Sequence, residues 1–375
     1  MNKKSDSLQA LRAVACLRVF INHCYIGDNG PWPVSIFIVM SGFLLTSGRL
    51  AKGRAALSLS PLECLRFAWG KVRKLYPLYI ITLLPILALD IFNAVSSSSG
   101  FGVIIKELVL SVLLIQSWSP AHSMAFNGVA WYLSTTFFLY FCFPYIMRCV
   151  SKYHEKKSAY IAIALLFAGE AAVSCLAPAL PRIVPFLFSS VADDDFVTWF
   201  TYIFPVFRLF DFSLGCNLGY IFVSRNKEEK KSVITAIDIS TVAFFALSVV
   251  IYRLTDKLPG SDAYKQTLIF SPFAMLCVYC FALGKGILPK LLTYKITVRF
   301  GDISSSFFLI HQDVIRILFM LSGYTALSFT AVKALLIPIS FVLTILAAEI
   351  YGRIALIYKK KLKATPHNTT AASDG

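Results

Sequence analysis

The sequence predicts an all-α polytopic membrane protein with about ten transmembrane helices, one further re-entrant or interfacial helix, and both termini cytoplasmic. Three observations predict it. Of 375 residues, 57% are hydrophobic and 15% are charged, where soluble domains average roughly 45–50% and about 25%. The chain carries 32 Phe and 17 Tyr, more than a soluble core of this size could cover with a polar skin. The cations gather in short loops between apolar runs, the mark of topology through cytoplasmic Lys/Arg. A soluble enzyme, a disordered chain and a secreted disulfide scaffold are all excluded.

A span needs about 20 mostly apolar residues at 1.5 Å rise each. The runs near 8–27, 33–50, 75–95, 130–148, 158–177, 199–223, 233–252, 267–284, 303–322 and 331–357 meet that requirement. The first run follows Lys3 and Lys4, but Arg12 and Arg18 interrupt it and no small-residue cleavage site follows. It is therefore expected to stay as the first span rather than leave as a signal peptide.

The run 101–118 is expected not to cross. With it outside the count, most of the 36 Lys+Arg lie on one side. That side holds the 49–74 loop, Arg148–Lys157, Arg225–Lys231, Lys285–Arg299 and Arg353–Lys363. Only Lys106, Arg182, Arg253, Lys257, Lys265 and Lys333 fall on the other. A crossing at 101–118 would break that asymmetry. One transmembrane domain is expected over 1–363, and the polar remainder 364–375 reads as a disordered tail.

The net charge of +16 is spread over these loops, so it indicates a bilayer and anionic ligands rather than nucleic acid. Nine cysteines, an odd count without framework spacing, lie mostly inside apolar runs. Cys277 and Cys280 form a CxxC with no second pair, and read as small helix residues. No Gly-rich phosphate loop, metal-ligand cluster or GxSxG elbow is present. No metal and no permanently bound cofactor is expected.

Ionisable residues inside spans are costly and mark function by default. The first run carries Arg12 and His23, eleven residues apart, hence about 20° from one face and about 16 Å apart along the axis. His311 lies in the run 303–322, and Arg208 and Asp211 stand i, i+3 in the run 199–223, close enough to pair. Lys71, Arg73 and Lys74 put three cations in four residues at a membrane edge, a pattern able to hold phosphates. Trp131 and Ser134 open another span. His122, His154 and His367 read as bystanders.

Together these features resemble the acyltransferase family 3 of integral-membrane acyltransferases. LRAVACLRVFINH matches its Arg–ten residues–His pattern on Arg12 and His23. SIFIVMSGFLL is similar to FFVLSGFLL, on Ser41, Gly42 and Phe43, and KVRKLYPLY to RRxxRxYPLY, on Lys71, Lys74, Tyr76 and Pro77. WYLSTTFFLYFCFP resembles WSLSVEEQFYLLFP, on Trp131, Ser134, Tyr140 and Pro144. FPVFRLFDFSLGCNLG corresponds to FRLxEFLLG, on Arg208, Asp211 and Gly215, and GDISSSFFLIHQ to GxISYSLYLIHQ, on Gly301, Ser304 and His311. Two departures stand out. Lys71 and Lys74 replace arginines, which keeps charge but loses bidentate phosphate recognition. Thr136 stands where the family has a glutamate.

The resemblance implies a cytoplasmic acyl-CoA donor, with acetyl the commonest group. It implies an acceptor hydroxyl on a polysaccharide or lipid-linked glycan, a bacterial inner membrane, and polysaccharide-assembly proteins as partners. The chemistry fits the residues. Acyl transfer to a hydroxyl needs a base for its proton, which a neutral histidine supplies, and donors for the developing oxyanion. His23 is expected as base or acyl carrier, with Arg12 and His311 completing the catalytic set. Lys71, Arg73, Lys74 and Arg12 are expected on the donor, and Trp131, Ser134, Arg208 and Asp211 on the substrate side. Two rivals remain at this point: a glycan or lipid transporter, and a noncatalytic accessory subunit.

Overall fold

A computed structural model of the chain describes residues 3–24, 30–53, 57–97, 100–183, 192–225, 230–255, 258, 261–323 and 329–364. Among the described residues every regular element is helical. In the N-terminal half these are α1 (Lys3–His23), α2 (Trp32–Leu50), α3 (Pro61–Val72), α4 (Tyr76–Ser97), α5 (Phe101–Val112), α6 (Trp131–Val150) and α7 (Lys156–Leu176). The C-terminal half adds α8 (Leu209–Val223), α9 (Lys231–Thr255), α10 (Ser271–Leu283), α11 (Ile287–Leu292), α12 (Lys295–Ser322) and α13 (Phe329–Ala364). The expected tail disorder at 365–375 lies outside the described residues.

Seven of these helices, α2, α4, α6, α7, α9, α12 and α13, are long and apolar enough to cross a membrane. The helices α8 and α10 are apolar but shorter, with 15 and 13 residues. The 21-residue α1 carries Asp6, Arg12 and Arg18 besides its lysines, which keeps it outside that group of seven. The helix α5 has 12 residues, about 18 Å of rise, far less than a hydrocarbon core of about 30 Å.

The continuous helix expected over 199–223 is broken. Trp199–Ile203 forms a π-helical turn, and Phe204 takes φ −57°, ψ 123°. Pro205 follows it, and a proline both lacks an N–H and drives the residue before it out of the helical region. The helix restarts at Leu209 with Arg208 as its cap residue. A second departure lies in the 49–74 loop, which contains α3. Its buried residues Cys64, Ala68 and Val72 recur every four positions, and that stripe packs on α6.

Correct side-chain placement rests on helices whose backbones touch. The pair α2 and α8 packs most extensively. A Cβ on Gly215 would strike Val39 O, one on Gly42 would strike Phe212 O, and one on Gly219 would lie 2.8 Å from Phe43 O. Gly215 and Gly219 thus form a GxxxG contact face. A Cβ on Gly301 of α12 would strike Gln9 O of α1.

Replacing Gly215 by Ala is expected to cost about 1–3 kcal/mol, the range for forcing extra atoms into a packed interior. Gly352→Ala is the control, because nothing lies within 4 Å of a Cβ there, and its expected effect is neutral to slightly stabilising. Thermal melts in detergent, run side by side, check the contrast.

Candidate active site

The contact at Gly301 sets α1 and α12 side by side in the same direction. Seven residues past Gln9, Cys16 Sγ donates to Ser304 O at 3.5 Å. Phe20 then meets the edge of Phe307 at 5.7 Å between centroids. The seam ends where His23 and His311 face each other, with ring centroids 5.0 Å apart and His311 Nε2 3.2 Å from His23 Nδ1.

Two carbonyls fix the tautomers of this pair. His311 Nδ1 lies 2.7 Å from Phe308 O, and a carbonyl can only accept, so Nδ1 carries the hydrogen. In the neutral ring Nε2 then holds a lone pair and accepts from His23 Nδ1–H. That same N–H also faces Val19 O at 2.9 Å. Both acceptors require the proton on His23 Nδ1, which leaves His23 Nε2 as the bare, basic nitrogen. His311 is 1% exposed, whereas His23 is half-buried, so the basic nitrogen belongs to the more accessible ring.

The segment before α6 clamps α12 beside the histidines. Asn127 Nδ2 donates to Leu309 O at 2.7 Å, and Arg316 Nη1 donates to Phe126 O at 2.7 Å. Phe126 has φ 54°, a strained conformation for a bulky residue that the arginine contact holds in place. A Cβ on Gly128 would lie 3.0 Å from Gln312 Oε1, so this segment packs closely on the α12 side chains.

A cavity of about 570 Å³ opens between α1, α2, α3, α6 and α12. Arg12, Lys71 and Lys74 line it, with Asp302 as a lining carboxylate and Ser41, Thr136 and Tyr140 as lining hydroxyls. Arg12 Nε is buried there without a hydrogen-bond partner among the described residues. Lys71 Nζ lies 4.9 Å from the Phe67 ring centroid. Partial burial, and then the charges of Arg49 and Lys74, push the Lys71 ammonium below its ordinary value. Thr136, at the place of the family glutamate, donates its hydroxyl to Tyr132 O at 2.8 Å. At this position the cavity therefore holds a neutral hydroxyl, as the sequence shows.

The histidines do not line this cavity. Phe308 forms its end wall and lies 5.8 Å from the His311 ring. Phe37, Tyr132 and Phe308 meet there edge to face, with centroids 5.4–6.2 Å apart. Arg73 is exposed at the end of α3 and does not line the cavity either.

The four residues expected on the substrate side are packed elsewhere. Trp131 is buried against Tyr202, 5.0 Å between centroids. Ser134 Oγ donates to Leu114 O at 2.7 Å and lies 2.6 Å from Ser117 Oγ, pinning the turn after α5. Arg208 and Asp211 do pair, Nη2 to Oδ2 at 2.8 Å, and Arg208 is 0% exposed.

Around that pair lies a residue the sequence reading missed. Glu170 of α7 is buried, and Ser271 Oγ lies 3.1 Å from its Oε1, 2.8 Å from Asp211 Oδ1 and 3.1 Å from Thr267 O. One hydroxyl hydrogen cannot serve three acceptors. The contacts are satisfied when a carboxyl proton donates to Ser271 Oγ, which also balances two carboxyls against one guanidinium. The signal was available: an acidic residue in an apolar run falls under the same rule that singled out Arg208.

Glu170→Gln supplies a neutral donor at the same place and is expected to fold with nearly unchanged stability. Ser271→Ala leaves the two carboxyls facing each other and is expected to cost about 1–3 kcal/mol. Thermal unfolding of the two variants in one detergent distinguishes them, and a Gln variant weaker than the Ala variant would contradict the shared proton.

The chain is 27% identical over 336 residues to acyltransferase MdmB of Streptomyces mycarofaciens, an alignment covering 83% of this chain and 79% of that protein. No solved structure matches. The model of the acyltransferase domain family matches residues 5–351, taking in both histidines, the cavity and every helix up to α13. The chain therefore belongs to the acyltransferase family 3 and is an acyl-transferring membrane enzyme.

Proposed function

We propose that this enzyme moves an acyl group, in this reading acetyl, from cytoplasmic acyl-CoA to a hydroxyl of a cell-surface glycan or its lipid-linked precursor. The bacterial inner membrane is the place this assigns to it. The observation that carries the reading is the bare Nε2 of His23, set by His311 at 3.2 Å, just behind the Phe308 wall of the cation-lined cavity. Eleven residues separate Arg12 from His23, about 16 Å along the helix. An elongated donor suits that spacing, with phosphates at one end and a thioester at the other.

In this reading α1, α8 and α10 join the seven longer helices as spans, α5 does not cross, and both termini are cytoplasmic. The one-sided placement of Lys/Arg supports it. Lys71 and Lys74 hold the phosphates, with Arg73 adding charge outside, and Arg12 meets the pantetheine arm. Turning the Phe308 ring aside joins the cavity to the histidines. His23 Nε2 takes the proton of the acceptor hydroxyl as its oxygen attacks the thioester carbonyl. The C–S bond breaks, and the proton passes from His23 to the departing CoA thiolate. His311 holds His23 in the required tautomer. Trp131, Ser134, Arg208 and Asp211 act as positioning residues that fix the walls. Polysaccharide-assembly proteins deliver the acceptor.

His23→Ala is expected to lower kcat about 10²–10⁴-fold, the usual contribution of a general base, with acetyl-CoA binding retained. Full turnover by a folded variant would overturn the mechanism. Lys71→Gln is expected to raise the KM for acetyl-CoA and leave kcat unchanged. A lysine with a lowered pKa loses its charge at lower pH than an ordinary lysine, so donor affinity falls as pH rises into the alkaline range. Lys71→Arg, always charged, is expected to remove that alkaline limb, which KM measured against pH would show.

A further inference from the structure

A second cavity, of about 620 Å³, lies between α7, α8, α9 and α10 and shares no lining residue with the first. Its two ends differ in chemistry. Lys156, at the start of α7, and Arg225, just past the end of α8, line one end. Phe167 and Phe244 line the other, and Ile163 and Ile237 lie between. The guanidinium of Arg225 stacks over the Phe222 ring at 3.7 Å, which holds its charge beside the mouth. Glu155, the exposed cap residue of α7, together with Glu228 and Glu229, is outnumbered by Arg148, Lys152, Lys157, Lys227, Lys230 and Lys231 in and beside the same two connecting segments.

The length of the cleft identifies what it fits. From Lys156 to Phe167 is eleven residues, about 16 Å along the axis, and one leaflet of a bilayer has an apolar depth of about 15 Å. The helices agree on direction. The beginnings of α7 and α9 and the ends of α8 and α10 all lie at the charged end. The cleft is thus apolar for the depth of one leaflet and cationic at headgroup level. It also separates α7, which packs on α8, from α9, which packs on α10.

We propose that this cleft binds one anionic phospholipid of the cytoplasmic leaflet, with its phosphate between Lys156 and Arg225 and an acyl chain running along Ile163 and Ile237 to Phe167 and Phe244. The lipid fills the gap between α7 and α9 and joins the two halves of the bundle. The inference rests on the topology proposed above only for the choice of leaflet, and its test does not depend on acyl transfer.

The test is native mass spectrometry of the detergent-purified chain after exchange into mixed phosphatidylglycerol and phosphatidylethanolamine micelles. One phosphatidylglycerol per chain is expected to survive conditions that strip the remaining lipid. Lys156→Gln is expected to reduce the preference for phosphatidylglycerol about fivefold, the effect of one surface cation on an anionic lipid. Lys156→Arg is expected to keep it. Ile237→Trp, which fills the shaft, is expected to abolish retention, and Ser240→Leu on the same wall serves if the Trp variant fails to fold. Equal retention of both lipids by the wild type, or undiminished retention by the filled variant, would overturn the proposal. Acyl transfer measured on the same samples separates a failed lipid site from a failed catalytic reading.

Discussion

Backbone contact between helices is the constraint on which the site depends. Inside a bilayer, lipid chains are as apolar as leucine, so helices gain little from burying apolar surface against one another. Close approach has to supply the association through dispersion and small residues. Gly301 against Gln9 O does this for α1 and α12, and Gly42, Gly215 and Gly219 do it for α2 and α8. The His23–His311 contact lies ten residues beyond Gly301 on α12. Two imidazoles on separate helices stay within 3.2 Å only if the helix axes are held at a fixed, short separation. The glycine contact fixes the seam at one end, and the clamp of Asn127 and Arg316 on the other fixes it beside the histidines.

Polar groups divide into two kinds by what they face. The Glu170, Ser271, Asp211 and Arg208 cluster ties α7, α8 and α10 together through contacts among its own members, although Glu170 Oε2 and Arg208 Nε and Nη1 keep no hydrogen-bond partner among the described residues. Arg12 and the two lysines, in contrast, face an open volume. Leaving a buried donor such as Arg12 Nε unpaired costs stability unless a ligand completes it. That contrast separates residues packed inside the bundle from residues that line an open cavity, although both sets are rare, charged and placed within or beside apolar sequence.

The sequence made much of this legible, and the failures have physical causes. Helix positions followed from run length, because a bilayer demands about 20 apolar residues whatever their order. Arg12, Lys71 and Lys74 were recognisable because charge near apolar runs needs a reason, and the cavity brings those three together. His23 and His311 were recognisable one by one, but their contact depends on which faces α1 and α12 turn toward each other, and spacing within one helix does not encode that. The break at Pro205 was missed because the run 199–223 is long and mostly apolar, and composition outweighed one residue's lost N–H. Trp131, Ser134, Arg208 and Asp211 were expected on the substrate side, and the structure places them in packed contacts outside the cavity lining; polarity inside a span marks importance without saying whether the role is support or contact. Helix α3 escaped because its buried stripe of Cys64, Ala68 and Val72 is too short and too small to register as an apolar run.

The choice of a second histidine as the partner of the first has a consequence for the chemistry. A carboxylate in the place of His311 would also hold His23 Nδ1–H, and would stabilise a positive charge on His23 after it takes a proton. It would also place a full negative charge where His311 is 1% exposed, and an unpaired buried carboxylate is among the costliest groups a membrane interior can hold. A neutral imidazole orients the base through the same hydrogen bond at far lower desolvation cost, because its own Nδ1–H is already satisfied by Phe308 O. It cannot neutralise a long-lived imidazolium. In the reaction proposed above, this arrangement favours a course in which the proton leaves His23 as soon as the C–S bond breaks, with the thiolate as its destination, over one that stores charge on the pair.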